Sequence, residues 1–112
     1  MSQLTTHILD TTKGKPAEGI NVYLYWQQNN EWTEIAPGTT NKDGRIPHFL
    51  RTDAVLEPGI YKIRFEIKEY FEKQGIASFY PFVEITFSIT DSEHYHVPLL
   101  LTPFGYSTYR GS

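Results

Sequence analysis

Four histidines, His7, His48, His94 and His96, are the side chains best suited to proton chemistry, because imidazole alone changes charge near neutral pH without help from its surroundings. His94 and His96 stand two apart in "HYHVPLLLTP", which puts both on one face of a strand. Zinc can be held at that spacing, but it asks for a third protein ligand and a supporting shell. Asp91 and Glu93 fall in a turn and no further histidine cluster exists, so no metal site is expected. The chain has no cysteine, no Gly-x-Ser-x-Gly elbow and no glycine-rich phosphate loop, which removes thiol, serine-elbow and phosphate-cradle chemistry. Arg45 closes the turn "NKDGR", where an arginine is ordinarily solvated. The last residues, "GYSTYRGS", alternate aromatic and small hydroxyl side chains and place Arg110 two residues before Ser112. Such an ending is either a strand trailing into solvent or a working part. On residue chemistry alone the chain presents a polar-aromatic face and no particular reaction.

The elements that must carry these residues are strands. In "GINVYLYWQ", Ile20, Val22, Leu24 and Trp26 share one face. "GIYKIRFEI" repeats the pattern with Tyr61, Ile63, Phe65 and Ile67, and "PFVEITFSI" with Val83, Ile85, Phe87 and Ile89. Alternation of this kind marks half-buried antiparallel strands. Shorter strands are expected over Leu4 to Leu9, Trp32 to Ala36, Tyr95 to Leu101 and Tyr106 to Tyr109, with "DTTKGKPAEG", "QQNNE", "PGTTNKDGR" and "LEPG" as turns. "EIKEYFEKQGI" breaks the alternation: Ile67, Tyr70 and Phe71 fall at helical spacing and Gly75 stands as a stop, predicting one short helix of about two turns. Seven or eight short strands with regular turns make an all-β, two-sheet sandwich.

Within the first strand, Thr5, His7 and Leu9 share a face; in "HYHVPLLLTP", His94, His96, Pro98 and Leu100 do. Taken singly, each histidine reads as a half-exposed residue of a polar face. Pro98 implies an edge position or a bulge, because proline cannot donate to a ladder. A face that is apolar on one side and ionisable on the other is one that another subunit normally covers.

Composition agrees. The 112 residues, 39% apolar and 21% charged, suit a single domain spanning 1–112. A formal net charge of -3 with scattered lysines and arginines argues against nucleic acid or an anionic membrane as partner. "MSQLTTHILD" lacks the basic start and apolar run of a secretory signal, no stretch approaches the roughly 20 apolar residues of a membrane helix, and "RGS" is not a peroxisomal address. A soluble, cytoplasmic protein is expected.

The segments "THILDTTKGKPAEGINVYL", "TTNKDGR", "YFEKQGIASFYPFVEITF" and "HYHVPLLLTPFGYSTYRGS" together resemble the transthyretin-related 5-hydroxyisourate hydrolases over nearly the whole chain, the terminal Tyr-Arg-Gly-Ser being the most specific. The resemblance implies two four-stranded sheets with one short helix, and a homotetramer whose channel between dimers is lined by the face bearing His7 and His96. It implies hydrolysis of the cyclic amide of 5-hydroxyisourate to 2-oxo-4-hydroxy-4-carboxy-5-ureidoimidazoline in urate degradation, without cofactor or metal. Carried over residue by residue, His7, Arg45, His96 and Ser112 would be catalytic, and His7, Arg45, Tyr109, Arg110 and Gly111 would bind substrate. His94 would stand outside the site. The family usually has serine where Thr102 stands, and both are hydroxyl residues at a strand end. A histidine would deprotonate the attacking water, a role assigned to His7 with His96 holding it or the water. Arg45 would meet the substrate's oxygens, Tyr109 would hold the ring, and the terminal carboxylate would orient a histidine or arginine.

Two other readings use the same fold: a carrier of an aromatic small molecule such as a thyroid hormone, and a chemically inert sandwich. A carrier wants an apolar channel, whereas His7, Arg45 and His96 would line this one with groups costly to desolvate unpaired. The inert sandwich leaves the unusual terminus without a purpose.

Overall fold

The computed structural model describes residues 2–111. In chain order it contains β1 (Leu4–Asp10), β2 (Lys15–Pro16), β3 (Asn21–Gln28), β4 (Glu31–Thr39), β5 (Gly59–Glu66), α1 (Lys68–Glu72), β6 (Val83–Ile89), β7 (Tyr95–Thr102) and β8 (Gly105–Thr108). They form two four-stranded sheets, β2-β1-β7-β8 and β4-β3-β5-β6: an all-β sandwich of transthyretin type with one short helix.

The three strongly alternating stretches become β3, β5 and β6, antiparallel neighbours in one sheet. Their apolar faces point to the core: Val22, Leu24, Tyr61, Ile63, Phe65, Val83 and Ile89 are buried with Leu4 and Ile8 of β1 and Leu99 and Leu101 of β7, in one cluster fed by both sheets. Each such side chain contributes about 1.5–3 kcal/mol when fully buried, so this alternation outweighs any single polar contact in setting register.

Besides the two-residue β2, which pairs with Leu9 and Asp10 inside the expected turn "DTTKGKPAEG", three local outcomes differ from the expectations. β4 runs on through Pro37 and Gly38, which the sequence assigned to a turn. It can do so because β4 is an edge strand, where proline's missing N–H faces no partner. The helix is shorter than two turns: its regular part covers five residues and starts at Ile67 with no capping side chain. The residues after Glu72 form its cap. Gly75 adopts φ 69, with Gly75 N–H donating to Glu72 O and Ile76 N–H to Phe71 O, the paired bonds of a Schellman ending. Buried Phe71 and the Tyr70 hydroxyl, 2.7 Å from Asp10 Oδ2, pin so short a helix to the sheets.

Pro98 is the third. It lies in β7, an interior strand that keeps an unbroken parallel register with β1, so no bulge surrounds it. The β8 ladder stops at Thr108, opposite Leu99, so Pro98 faces a local gap. Its carbonyl accepts the Thr108 hydroxyl at 2.7 Å. The expected edge exists, but as one residue's edge within a central strand.

Candidate active site

His7 and His96 meet because β1 and β7 are parallel neighbours, pairing Thr5 with His96 and His7 with Pro98. Leu4, Thr6 and Ile8 point inward together with Tyr95, Val97 and Leu99, which leaves Thr5, His7, His94 and His96 on the outer face. The two imidazoles are diagonal neighbours there.

Arg45 arrives by a turn. The Asn41 side-chain oxygen accepts the N–H groups of Asp43 and Arg45 at 2.9 and 3.1 Å, and the Asn41 N–H donates to the Arg45 carbonyl at 2.8 Å. Gly44 then docks this loop on β1. Its carbonyl accepts the Ile8 N–H at 2.9 Å, and His7 and Arg45 form an antiparallel bridge. Glycine is required twice over: φ is +72, and a Cβ would strike the Ile8 carbonyl and come within 3.2 Å of His7 Cδ2.

This juxtaposition governs both rings. Burial holds the His7 pKa below the ordinary 6.5, the Arg45 guanidinium lowers it further, and the Asp43 backbone and carboxylate oppose the shift. His96 is lowered by burial first, then by Arg45, His7 and His94, against the Thr5 backbone. Both rings are therefore neutral, and able to accept a proton, over a wider pH range than a free imidazole. Among the described residues no carboxylate forms an ion pair with Arg45, so the guanidinium remains available for an anion or a developing negative charge.

The tail is a continuation of β8 rather than a loose end. Gly111 pairs with His96 in the same register as the β8 ladder, its N–H donating to the His96 carbonyl at 2.7 Å. The interruption falls opposite Pro98, which has no N–H to give. A Cβ on Gly111 would lie 2.6 Å from His96 Cδ2, so this glycine lets the strand close against the imidazole ring. Arg110 is engaged elsewhere: its guanidinium stacks 4.2 Å above the inward-facing Tyr95 ring and donates to the His94 carbonyl at 3.3 Å. Within this chain it fastens the tail and does not join the histidines. Tyr109 is 58% exposed, and Ser112 lies outside the described residues.

His48, the fourth histidine, is exposed at φ 59 in the loop after Arg45. Among the described residues no group of three or more metal-ligating side chains comes together. Three contributors escaped the sequence reading. Thr5 holds His96 Nδ1 at 2.8 Å and His94 Nε2 at 3.2 Å; the available signal was a hydroxyl two residues before His7 on the same face. Asn41 and Gly44 were legible only as turn formers, yet they aim Arg45. His94, set apart by the resemblance, stands two hydrogen bonds behind His96, through the Thr5 hydroxyl.

The arrangement offers two imidazoles held below their ordinary pKa, a guanidinium with no ion pair among the described residues, and an open face. A cleft of about 290 Å³ on the far side of the tail, lined by β6 residues with Tyr95, Tyr109 and Arg110, does not include them. The model of the HIUase/Transthyretin family matches residues 4–111. A mouse 5-hydroxyisourate hydrolase is 46% identical over 99% of this chain and 96% of its own length. The solved 5-hydroxyisourate hydrolase of Klebsiella pneumoniae is 39% identical with a TM-score of 0.85, covering 99% of this chain and all of that one. Sea bream transthyretin in complex with thyroxine is 31% identical with a TM-score of 0.91, over 97% of this chain and 94% of that one. Backbone likeness is thus greater to the thyroxine binder and sequence likeness greater to the hydrolases, so the fold alone does not separate the two activities. The chain belongs to the HIUase/Transthyretin family.

Proposed function

We propose that this chain hydrolyses 5-hydroxyisourate to 2-oxo-4-hydroxy-4-carboxy-5-ureidoimidazoline, a step of urate degradation. The observation that carries the reading is the convergence of His7, Arg45 and His96 on one face, with both imidazoles held below their ordinary pKa. Water attacks a ring carbonyl while an imidazole takes its proton. The oxyanion that forms is stabilised by Arg45. The ring C–N bond then breaks, and the imidazolium returns its proton to the departing nitrogen. General-base help of this kind contributes roughly 10²- to 10⁴-fold, and one preorganised donor to an oxyanion about 10²- to 10³-fold. His7 is assigned as base, with His96 holding the attacking water. Tyr109 stacks on the ring, and Gly111 keeps the tail against His96. Arg110 anchors the tail that carries Tyr109 and Gly111.

The same reading takes residues 1–112 as one domain acting in the cytoplasm, and as a homotetramer with the site roofed at the dimer-dimer interface. Three features support assembly: the catalytic face is open, β8 is a four-residue edge strand, and Phe79 and Phe104 are 70% and 68% exposed. A thyroid-hormone carrier fits less well, since the channel would hold an uncompensated guanidinium and two imidazoles.

The test is to generate 5-hydroxyisourate from urate and urate oxidase and follow its ultraviolet decay. Acceleration by the protein, lost in His7→Ala, Arg45→Ala and His96→Ala variants that still fold, supports the hydrolase. Unaccelerated decay together with tight thyroxine binding would replace it by the carrier.

A further inference from the structure

We infer that His94 and Thr5 form a hydrogen-bond relay that fixes the tautomer of His96, leaving its Nε2 unprotonated so that it meets the attacking water as an acceptor. The inference rests on the hydrolase reading for its consequence, but not for its structure. Three distances define the relay. His94 Nδ1 lies 2.9 Å from the Ser2 carbonyl oxygen, His94 Nε2 lies 3.2 Å from Thr5 Oγ1, and Thr5 Oγ1 lies 2.8 Å from His96 Nδ1.

Proton counting along this path has one solution. A backbone carbonyl only accepts, so His94 Nδ1 must donate to Ser2. With the His94 ring neutral, its Nε2 is then bare and can only accept, which takes the single hydroxyl proton of Thr5. The Thr5 oxygen therefore turns lone pairs toward His96, and His96 Nδ1 must carry the proton. A neutral His96 is left with its lone pair on Nε2, on the side away from Thr5. Gly111 packs against the Cγ–Cδ2 edge of the ring, which restrains it from turning out of this arrangement. Were Thr5 absent, nothing in the relay would distinguish the two neutral tautomers.

His94 and Thr5 are thus positioning residues acting through His96. Long-range 1H–15N correlation spectra of the ¹⁵N-histidine-labelled protein, at mildly alkaline pH, report the tautomer directly. The wild type should show His96 protonated at Nδ1. Thr5→Val, which removes the hydroxyl and keeps the shape, should mix the tautomers and lower kcat about 2- to 5-fold with KM little changed, in proportion to the fraction of His96 lost to the Nε2–H form. Thr5→Ser should restore both the spectrum and kcat. His94→Phe should free the Thr5 hydroxyl to donate to His96 and move the ring toward the Nε2–H form. A wild-type spectrum with His96 protonated at Nε2 overturns the relay, whatever the variants do. The spectrum needs no substrate, so a correct tautomer in a protein that leaves 5-hydroxyisourate untouched would sink the hydrolase reading and spare the relay.

Discussion

The outer faces of the two sheets treat their ionisable groups in opposite ways. On the β4-β3-β5-β6 sheet each cation is answered. Lys62 lies 3.4 Å from Glu84 and sits over the Trp32 and Tyr25 rings, while Arg64 pairs with Glu66 and Glu84 and stacks on Phe82. The carboxylates beside Arg64 raise its pKa, against burial. On the β2-β1-β7-β8 sheet Arg45 has no carboxylate in an ion pair among the described residues, and two histidines beside it are pushed down. A surface selected for solubility and packing compensates its charges. One that leaves a guanidinium beside two lowered imidazoles has the character from which the hydrolase proposal starts.

The contrast is broken or sharpened most strongly by truncation. His7→Ala, His96→Ala and Arg45→Ala should each lower turnover by roughly 10²- to 10⁴-fold in the ultraviolet assay without loss of fold, whereas Arg64→Ala on the other sheet should leave turnover unchanged. Equal losses on both faces would erase the distinction. Next in size is the loop that delivers Arg45. Gly44→Ala meets both positive φ and the Ile8 carbonyl, so it should destabilise by about 1–3 kcal/mol, read by urea denaturation. Gly14→Ala, at φ +66 with nothing within 4 Å of its Cβ, should lose only the left-handed penalty of about 1 kcal/mol. Tyr70→Phe should cost about 1–3 kcal/mol by removing a partner of the buried Asp10 carboxylate, with turnover unaffected. The Tyr70 hydroxyl is itself raised to about 12 by burial first and then by Asp10. Its contribution is present below pH 10 and lost as pH rises toward about 12.

A gentler test uses pH. Lowered histidine pKa values mean that the folded state binds fewer protons than the unfolded one as pH falls. Stability from these groups is therefore present above 6.5 and is lost below it, as pH falls through the lowered values. The acid limb of kcat/KM should fall below 6.5 for the same reason. Residual activity in Arg45→Gln should show that limb moved upward, because a cation that opposes protonation has gone. A limb unmoved by the substitution would show that Arg45 does not act on these rings. Smallest of all, Lys62→Met should change stability by less than about 1 kcal/mol, because the pair's partner Glu84 keeps access to water and the apolar stem of the side chain is retained.

Much of this protein was readable before any coordinates. Period-two alternation is a local property of the backbone, and it named the core faces of β3, β5 and β6 almost residue for residue. Asn29 and Asn30, at φ 54 and 64, make the tight hairpin that "QQNNE" announced. Gly75 ended the helix where it was expected. The misplacements have physical causes. Pro37 reads as a breaker until β4 is known to be an edge, and Pro98 reads as an edge signal although its strand is central.

What the sequence determined by itself was which residues face inward, where the chain turns, and which side chains have the right chemistry. Only the tertiary structure decided that β1 and β7 lie side by side, that a glycine turn sets Arg45 beside His7, and that the tail rejoins β7 at His96. The reason is range. Alternation and turn chemistry act between residues a few positions apart, whereas a parallel pairing across some ninety residues is chosen by burial of the whole core. The hydroxyl of Thr5 belongs to neither category until that pairing brings two histidines to it.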